Sequence, residues 1–299
     1  MRRIEIAGVS MHKQTIYNSS RHPANQLKLQ IAPFLLWLLS ASCFPYSNQI
    51  QNDRDRVLEQ FPDASRSYEL DGSNHYMRTG EGQDLLVFVH GSPGAWDSFA
   101  GFLTDPDLVR RARMISVDRP GFGKSTPGVP EPSLLKQAQR IRQAILKEKG
   151  SGRVILIGHS FGGPLIAKLA MLDPGEYRAL IFVAASVDPE LEVVHWYQNA
   201  ADLRAVRLIL PEDLDVTNRE ILPLKQELIE LLPWWQKIQC DVSVIQGLDD
   251  TLVPPGNADF LKAHLPQARI VTVPGLNHFV PWARPDLIKT EILARLNQK

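Results

Sequence analysis

The chain has 299 residues, with 33 Lys plus Arg balanced by 33 Asp plus Glu, so its formal net charge is zero; this argues against a protein that binds nucleic acid through a basic excess. Hydrophobic residues at 44% and charged residues at 22% exclude an intrinsically disordered chain. Two cysteines, Cys43 and Cys240, are too few for a disulfide scaffold or a cysteine zinc site, and no apolar run reaches the ~20 residues of a membrane-spanning helix.

The charge is unevenly spread. Residues 1–30 carry Arg2, Arg3, Lys13, Arg21 and Lys28 against Glu5 alone, a local +4. Nine largely apolar residues, 31–39, follow, then Ser40, Ala41, Ser42 and Cys43. A basic region, an apolar segment and a small-residue site in that order predict a secretory signal over residues 1–43. The stretch ending in Cys43 also resembles the lipobox of bacterial lipoproteins, with Ser40 in place of the leucine three residues before the cysteine. Export or membrane attachment through this segment, as a periplasm-facing lipoprotein, is the expectation; a packed N-terminal arm on a cytoplasmic protein is the alternative. Residues 44–60, Gln- and Asn-rich and without periodicity, are expected to be a tether.

From residue 61 to 299 a single domain is expected. Residues 67–70 and 75–78, separated by an Asp71-Gly72 turn, predict a hairpin. Residues 85–89 form a short continuous apolar run, as a strand buried on both faces requires, and 114–117, 154–157, 180–183, 242–245 and 270–273 repeat it. Helical spacing marks residues 134–146, begun by Ser133 and stopped by Gly150, and then 165–172, 258–265 and 286–296. This alternation predicts an α/β fold with a mostly parallel sheet flanked by helices. Residues 188–239 break the rhythm and read as a short helical cap insertion. Its Trp196, Tyr197, Trp234 and Trp235 are candidates for an apolar acyl pocket, with at least half of them expected in the cap's own core.

Gly158-His159-Ser160-Phe161-Gly162 falls between a predicted strand and a predicted helix. In that context G-x-S-x-G forms a nucleophile elbow, whose glycines leave room for neighbouring backbone. The helix N-terminus adds free N–H groups that favour developing negative charge.

These features, taken together, resemble the α/β-hydrolase superfamily over essentially the whole chain from residue 68. His90-Gly91-Ser92-Pro93-Gly94 stands where that family carries its oxyanion loop, and the resemblance implies the backbone N–H groups of Ser92 and Phe161 as the oxyanion hole. His90 is expected to hold the loop's shape. Asp118-Arg119-Pro120-Gly121-Phe122-Gly123-Lys124-Ser125 resembles the family's D-x-x-G-x-G-x-S turn, so Asp118 is expected to build a turn. Of the eight histidines, His278 occupies the family's place for the general base, in a loop after a late strand. In Gly247-Leu248-Asp249-Asp250 the family register selects Asp250 as the orienting acid, with Asp249 as its adjacent competitor.

The resemblance implies a serine hydrolase that cleaves a small-molecule ester, thioester, lactone or amide through an acyl-enzyme. Ser160, His278 and Asp250 would be the catalytic triad, with no metal or organic cofactor. Serine in the elbow argues against the haloalkane dehalogenase and epoxide hydrolase branches, whose nucleophile is an aspartate. A carbon–carbon bond hydrolase or lyase using the same triad is the alternative, because fold and triad do not fix the bond broken. A non-catalytic binding module is the more distant one, since no triad member is missing. Substrate identity and oligomeric state stay open.

Overall fold

The computed structural model describes residues 45–68 and 74–298. The expected signal over 1–43 and the Asp71-Gly72 turn lie outside the described residues. The described residues form eight strands: β1 Ser65–Tyr68, β2 Asn74–Thr79, β3 Asp84–Val89, β4 Ala112–Val117, β5 Val154–His159, β6 Tyr177–Val183, β7 Asp241–Gly247 and β8 Arg269–Val273. They form one sheet in the order β1-β2-β4-β3-β5-β6-β7-β8. β1 and β2 pair antiparallel, as does β2 with β4, and every other pairing is parallel.

The apolar runs explain the strands. Along β3, Leu85, Val87 and Val89 join the core on one face of the sheet, while Leu86 and Phe88 join the core on the other. A strand buried on both sides needs apolar residues at consecutive positions, because its side chains alternate.

Among the described residues, the helices of eight residues or more are α1 Ser47–Gln60, α2 Leu134–Glu148, α3 Gly162–Leu172, α4 Glu212–Ile221, α5 Leu224–Leu231, α6 Gly256–His264 and α7 Pro285–Leu296. Of these, α2, α3 and α6 supply one core cluster, and α7 supplies the other with its Ile288 and Ile292. None of the described helices is long and apolar enough to cross a membrane. Ser133 sits at the N-cap position of α2, but its side chain makes no capping bond. A carboxylate oxygen of Glu227 on α5 accepts from Leu134 N instead, at 2.8 Å.

Residues 47–60 correct the expectation of a tether: they are helix α1. Val57 is fully buried and Ile50 and Asp53 are half-buried, a four-and-three spacing that turns one side of the helix inward. Asp53 rests on Gly101, where an added Cβ would come within 2.9 Å of its carboxylate, and Arg54 reaches Asp97 at 3.4 Å. Just before the helix, Tyr46 stacks on Trp282 with ring centroids 6.1 Å apart.

The insertion after β6 holds α4, α5 and two shorter helices, Trp196–Ala201 and Arg204–Arg207. Leu224, Leu228 and Leu231 of α5 are buried in the same cluster as the sheet, so the cap shares the domain's core. The aromatic expectation is corrected as well. Of the three cap tryptophans, Trp235 alone is buried, packed on Phe182 and Phe260, while Trp196 and Trp234 are 50% and 44% exposed.

Candidate active site

The loops after β3, β4, β5, β7 and β8 bring the chemistry-bearing residues to the C-terminal edge of the parallel strands. Ser160 connects β5 to α3 with φ +53°, a left-handed conformation that an L-residue adopts at a cost. Gly162 must be glycine here: a Cβ would stand 2.2 Å from the Val89 carbonyl oxygen. At Gly158 a Cβ would come within 2.5 Å of the Gly162 oxygen. The elbow is anchored by Ser160 N–H donating to Val183 O at 3.0 Å and by Gly163 N–H donating to Ser160 O at 2.9 Å. Gly91 of the loop after β3 lies directly against it, since a Cβ there would be 2.8 Å from the Ser160 Cβ.

His278 follows β8, and its Nδ1 is 2.8 Å from Asp250 Oδ2. Asp250 is 4% exposed, and its Oδ1 accepts from the backbone N–H groups of Leu252 at 2.9 Å and Val253 at 2.8 Å. Asp249 is exposed and takes no part in this pair; its backbone N–H donates to Leu276 O. The carboxylate holds the Nδ1 proton, which leaves Nε2 as the nitrogen free to accept one. The His278 ring packs on His159 with centroids 4.8 Å apart, and His159 Nε2 donates to the His278 carbonyl at 3.1 Å.

Burial, reinforced by neighbouring His278, holds the His159 pKa well below the ordinary histidine value. His90 is lowered in the same way by burial and by the Arg119 charge. Its tautomer is set by its partners: Nε2 accepts from Arg119 N–H at 3.0 Å, so Nδ1 carries the proton and donates to Gly91 O at 2.7 Å. The loop-holding role expected of His90 is thus seen in its bonds.

Asp118 makes a turn. It accepts from Trp96 N–H at 2.8 Å and Lys124 N–H at 2.9 Å. It also meets His75 Nδ1 at 2.7 Å, and His75 Nε2 meets Ser65 Oγ at 2.8 Å. This is a Ser–His–Asp hydrogen-bonded chain away from the elbow. It lies on the antiparallel end of the sheet, where Ser65 sits within strand β1 and no helix N-terminus follows it. It has none of the elbow's backbone geometry.

Sequence reasoning missed a buried cluster beside the site. Arg119 and Glu220 are both wholly buried and form a two-pronged pair, Nη1 to Oε2 at 2.7 Å and Nη2 to Oε1 at 2.8 Å. Gln137 joins it through Arg119 Nη1 at 3.0 Å. The Ser92 hydroxyl bonds Glu220 and lies 3.1 Å from Thr217 Oγ1. Nearer the elbow, Ser186 Oγ donates to Glu192 at 2.5 Å, and burial raises the Glu192 pKa. Among the described residues no group of three or more His, Cys, Asp or Glu is placed to hold a metal ion.

A family model for the alpha/beta hydrolase fold matches residues 84–206, the span that contains β3, the loops after it and the elbow. The chain has the α/β-hydrolase fold. Among curated proteins, it is 25% identical over 246 residues to a pimeloyl-[acyl-carrier protein] methyl ester esterase of Nitrosomonas europaea, covering 69% of this chain and 92% of that one. It is 37% identical over 112 residues to a 2-hydroxy-6-oxononadienedioate/2-hydroxy-6-oxononatrienedioate hydrolase of Burkholderia vietnamiensis. That second match spans 36% of this chain and only 38% of the relative. Among solved structures, a membrane phospholipase A described as a bacterial virulence factor superposes with a TM-score of 0.62 at 19% identity, covering 91% of this chain and 98% of that chain. An E-2-(acetamidomethylene)succinate hydrolase superposes with a TM-score of 0.59 at 19% identity, covering 78% and 99%. At that identity the structures speak for the fold alone, and these two sequence relatives are hydrolases of two kinds.

Proposed function

We propose that this α/β hydrolase is a serine hydrolase acting on a small-molecule ester, thioester, lactone or amide. The observation that carries the reading is the His278–Asp250 pair at 2.8 Å on the same edge of the sheet as a serine held at φ +53° between strand and helix. Ser160 Oγ attacks the acyl carbon while His278 Nε2 takes its proton. Asp250 holds the imidazole in the tautomer that can accept it and stabilises the imidazolium that forms. The negative oxygen of the tetrahedral intermediate is met by the N–H groups of Ser92 and Phe161, each such donor contributing roughly 3–4 kcal/mol to the transition state. His278 then returns its proton to the leaving group. The acyl-enzyme is hydrolysed by a water that His278 activates in the second half-reaction.

Two observations favour different bonds. The longest sequence match above, across 92% of its relative, is to a methyl ester esterase. The most identical, across 38% of its relative, is to a hydrolase of a dienedioate-type substrate, which supports carbon–carbon bond hydrolysis as the second reading. A panel of p-nitrophenyl esters and acyl thioesters separates them. Turnover that Ser160→Ala abolishes supports acyl-ester hydrolysis; wild-type protein idle on the whole panel turns the reading toward the carbon–carbon bond.

A further inference from the structure

The buried cluster beside the elbow has a consequence for the oxyanion hole. Arg119 sits in the loop after β4, and its side chain is 0% exposed. Its Nη2 donates to Gly91 O at 2.9 Å, and its Nε donates to His90 O at 3.1 Å. The guanidinium also lies over the Phe161 ring, 4.5 Å from the centroid. One side chain therefore grips both segments that supply the two N–H groups. The Gly91 contact matters most, because Gly91 C=O and Ser92 N–H belong to one peptide unit. That unit is trans, and in a trans unit the oxygen and the N–H point in opposite directions. Pinning the oxygen fixes where the N–H points. His90 Nδ1 pins the same oxygen from a second direction at 2.7 Å.

The anchor for this grip comes from the cap. Glu220, on α4, is the only carboxylate hydrogen-bonded to Arg119 among the described residues, and it also holds the Ser92 hydroxyl. We propose that Arg119 is a positioning residue that aims the Ser92 and Phe161 N–H groups at the reacting oxygen, with Glu220 as the cap-borne residue that orients it. The cap then takes part in transition-state stabilisation without touching the reacting atoms. This inference rests on the serine-hydrolase reading above.

The fork geometry makes it specific. A lysine would keep the charge but could not hold Gly91 O, His90 O and both Glu220 oxygens together. Glutamine at 220 would keep the volume but lose the charge that holds the guanidinium. A misaimed donor weakens binding of the developing oxyanion and leaves ground-state binding largely intact.

The test compares full-length wild type with Glu220→Gln and Arg119→Lys, in three measurements normalised to folded protein. These are the rate constant for labelling of Ser160 by a fluorophosphonate, kcat and KM on p-nitrophenyl butyrate, and the inhibition constant of phenylboronic acid. The tetrahedral boronate adduct sets an oxygen where the oxyanion forms. The expected result is labelling slower by about tenfold to a hundredfold, boronate affinity reduced in parallel and KM within about twofold, since one complete donor is worth roughly 10²–10³ in rate. If both single variants fail to fold, the double variant Arg119→Met/Glu220→Leu removes the two charges together, a change buried pairs often tolerate. It should fold and label slowly. Labelling and boronate binding at wild-type levels in any folded variant, with only the melting temperature lowered, would overturn the proposal. Wild-type protein that does not label at Ser160 would overturn the serine-hydrolase reading itself, and this one with it.

Discussion

Asp250 and Asp249 are adjacent in sequence, yet only Asp250 is buried against His278, 2.8 Å from its Nδ1. The two carboxylates differ by one residue of register and by nearly everything in environment. Two backbone N–H groups hold one Asp250 oxygen and leave the other for the imidazole.

Asp250→Asn should therefore lower kcat by about 10³–10⁴, because an amide would favour the wrong imidazole tautomer. Asp249→Asn should change kcat by less than about twofold, as exposed substitutions do. Steady-state kinetics of the two purified variants on one ester checks this, and a reversal of their order would move the acid by one position.

The cap tryptophans make a second contrast. Trp235 is 1% exposed and packs on Phe182 and Phe260, so Trp235→Ala should cost about 3–5 kcal/mol of unfolding free energy. Trp234, next to it and 44% exposed, should cost under about 1 kcal/mol on the same change. Urea titrations of both variants measure the difference. Equal losses would mean that the cap does not share the domain's core.

What was legible in the sequence was local. Continuous apolar runs marked the buried strands because a strand with two covered faces has no polar position to spare. Ser160, Asp250 and His278 were picked out because each stands in a short motif at the end of a strand. Residues that act through distant partners were not legible. Arg119 and Glu220 are separated by 101 positions, and nothing near either one signals that a charge will be buried and matched there. Glu227 capping α2 from α5 is the same kind of case, and the local serine misleads. Helix α1 escaped because only Ile50 and Val57 carry its apolar side, with Asp53 between them on the same face.

Acid should destabilise the fold through two histidines. His90 and His159 are fully buried, and their pKa values are held well below the ordinary histidine value of about 6.5 by burial and by neighbouring Arg119 and His278. The unfolded chain takes up protons at these positions below about pH 6.5 and the folded chain does not, so stability falls as pH drops through that value. The slope should approach about 1.4 kcal/mol per pH unit for each histidine. Denaturant titrations at pH 7.5, 6.5 and 5.5 test the sign, and His159→Gln, if folded, should flatten the slope. Stability that is level or rising from pH 7.5 to 5.5 would contradict it.

The order of the +4 segment, the nine-residue apolar run and Ser40-Ala41-Ser42-Cys43 leads us to propose export with attachment at Cys43. A single acyl chain anchors only marginally, so stable attachment needs more than one. Fractionating cells that express the full chain and its Cys43→Ser variant should place the wild type with membranes and release the variant. Equal cytosolic recovery of both, each with an intact N-terminus, would rule the proposal out.

The central claim is that Ser160 is an activated nucleophile, and covalent labelling tests it most directly. The protein is treated with a fluorophosphonate, digested, and the adduct located by mass spectrometry, with Ser160→Ala and Ser65→Ala alongside. The account predicts one adduct, on Ser160, absent from Ser160→Ala, undiminished in Ser65→Ala and strongly slowed when His278 is replaced by glutamine. An unlabelled Ser160 in folded protein, or an adduct on Ser65 instead, would contradict it.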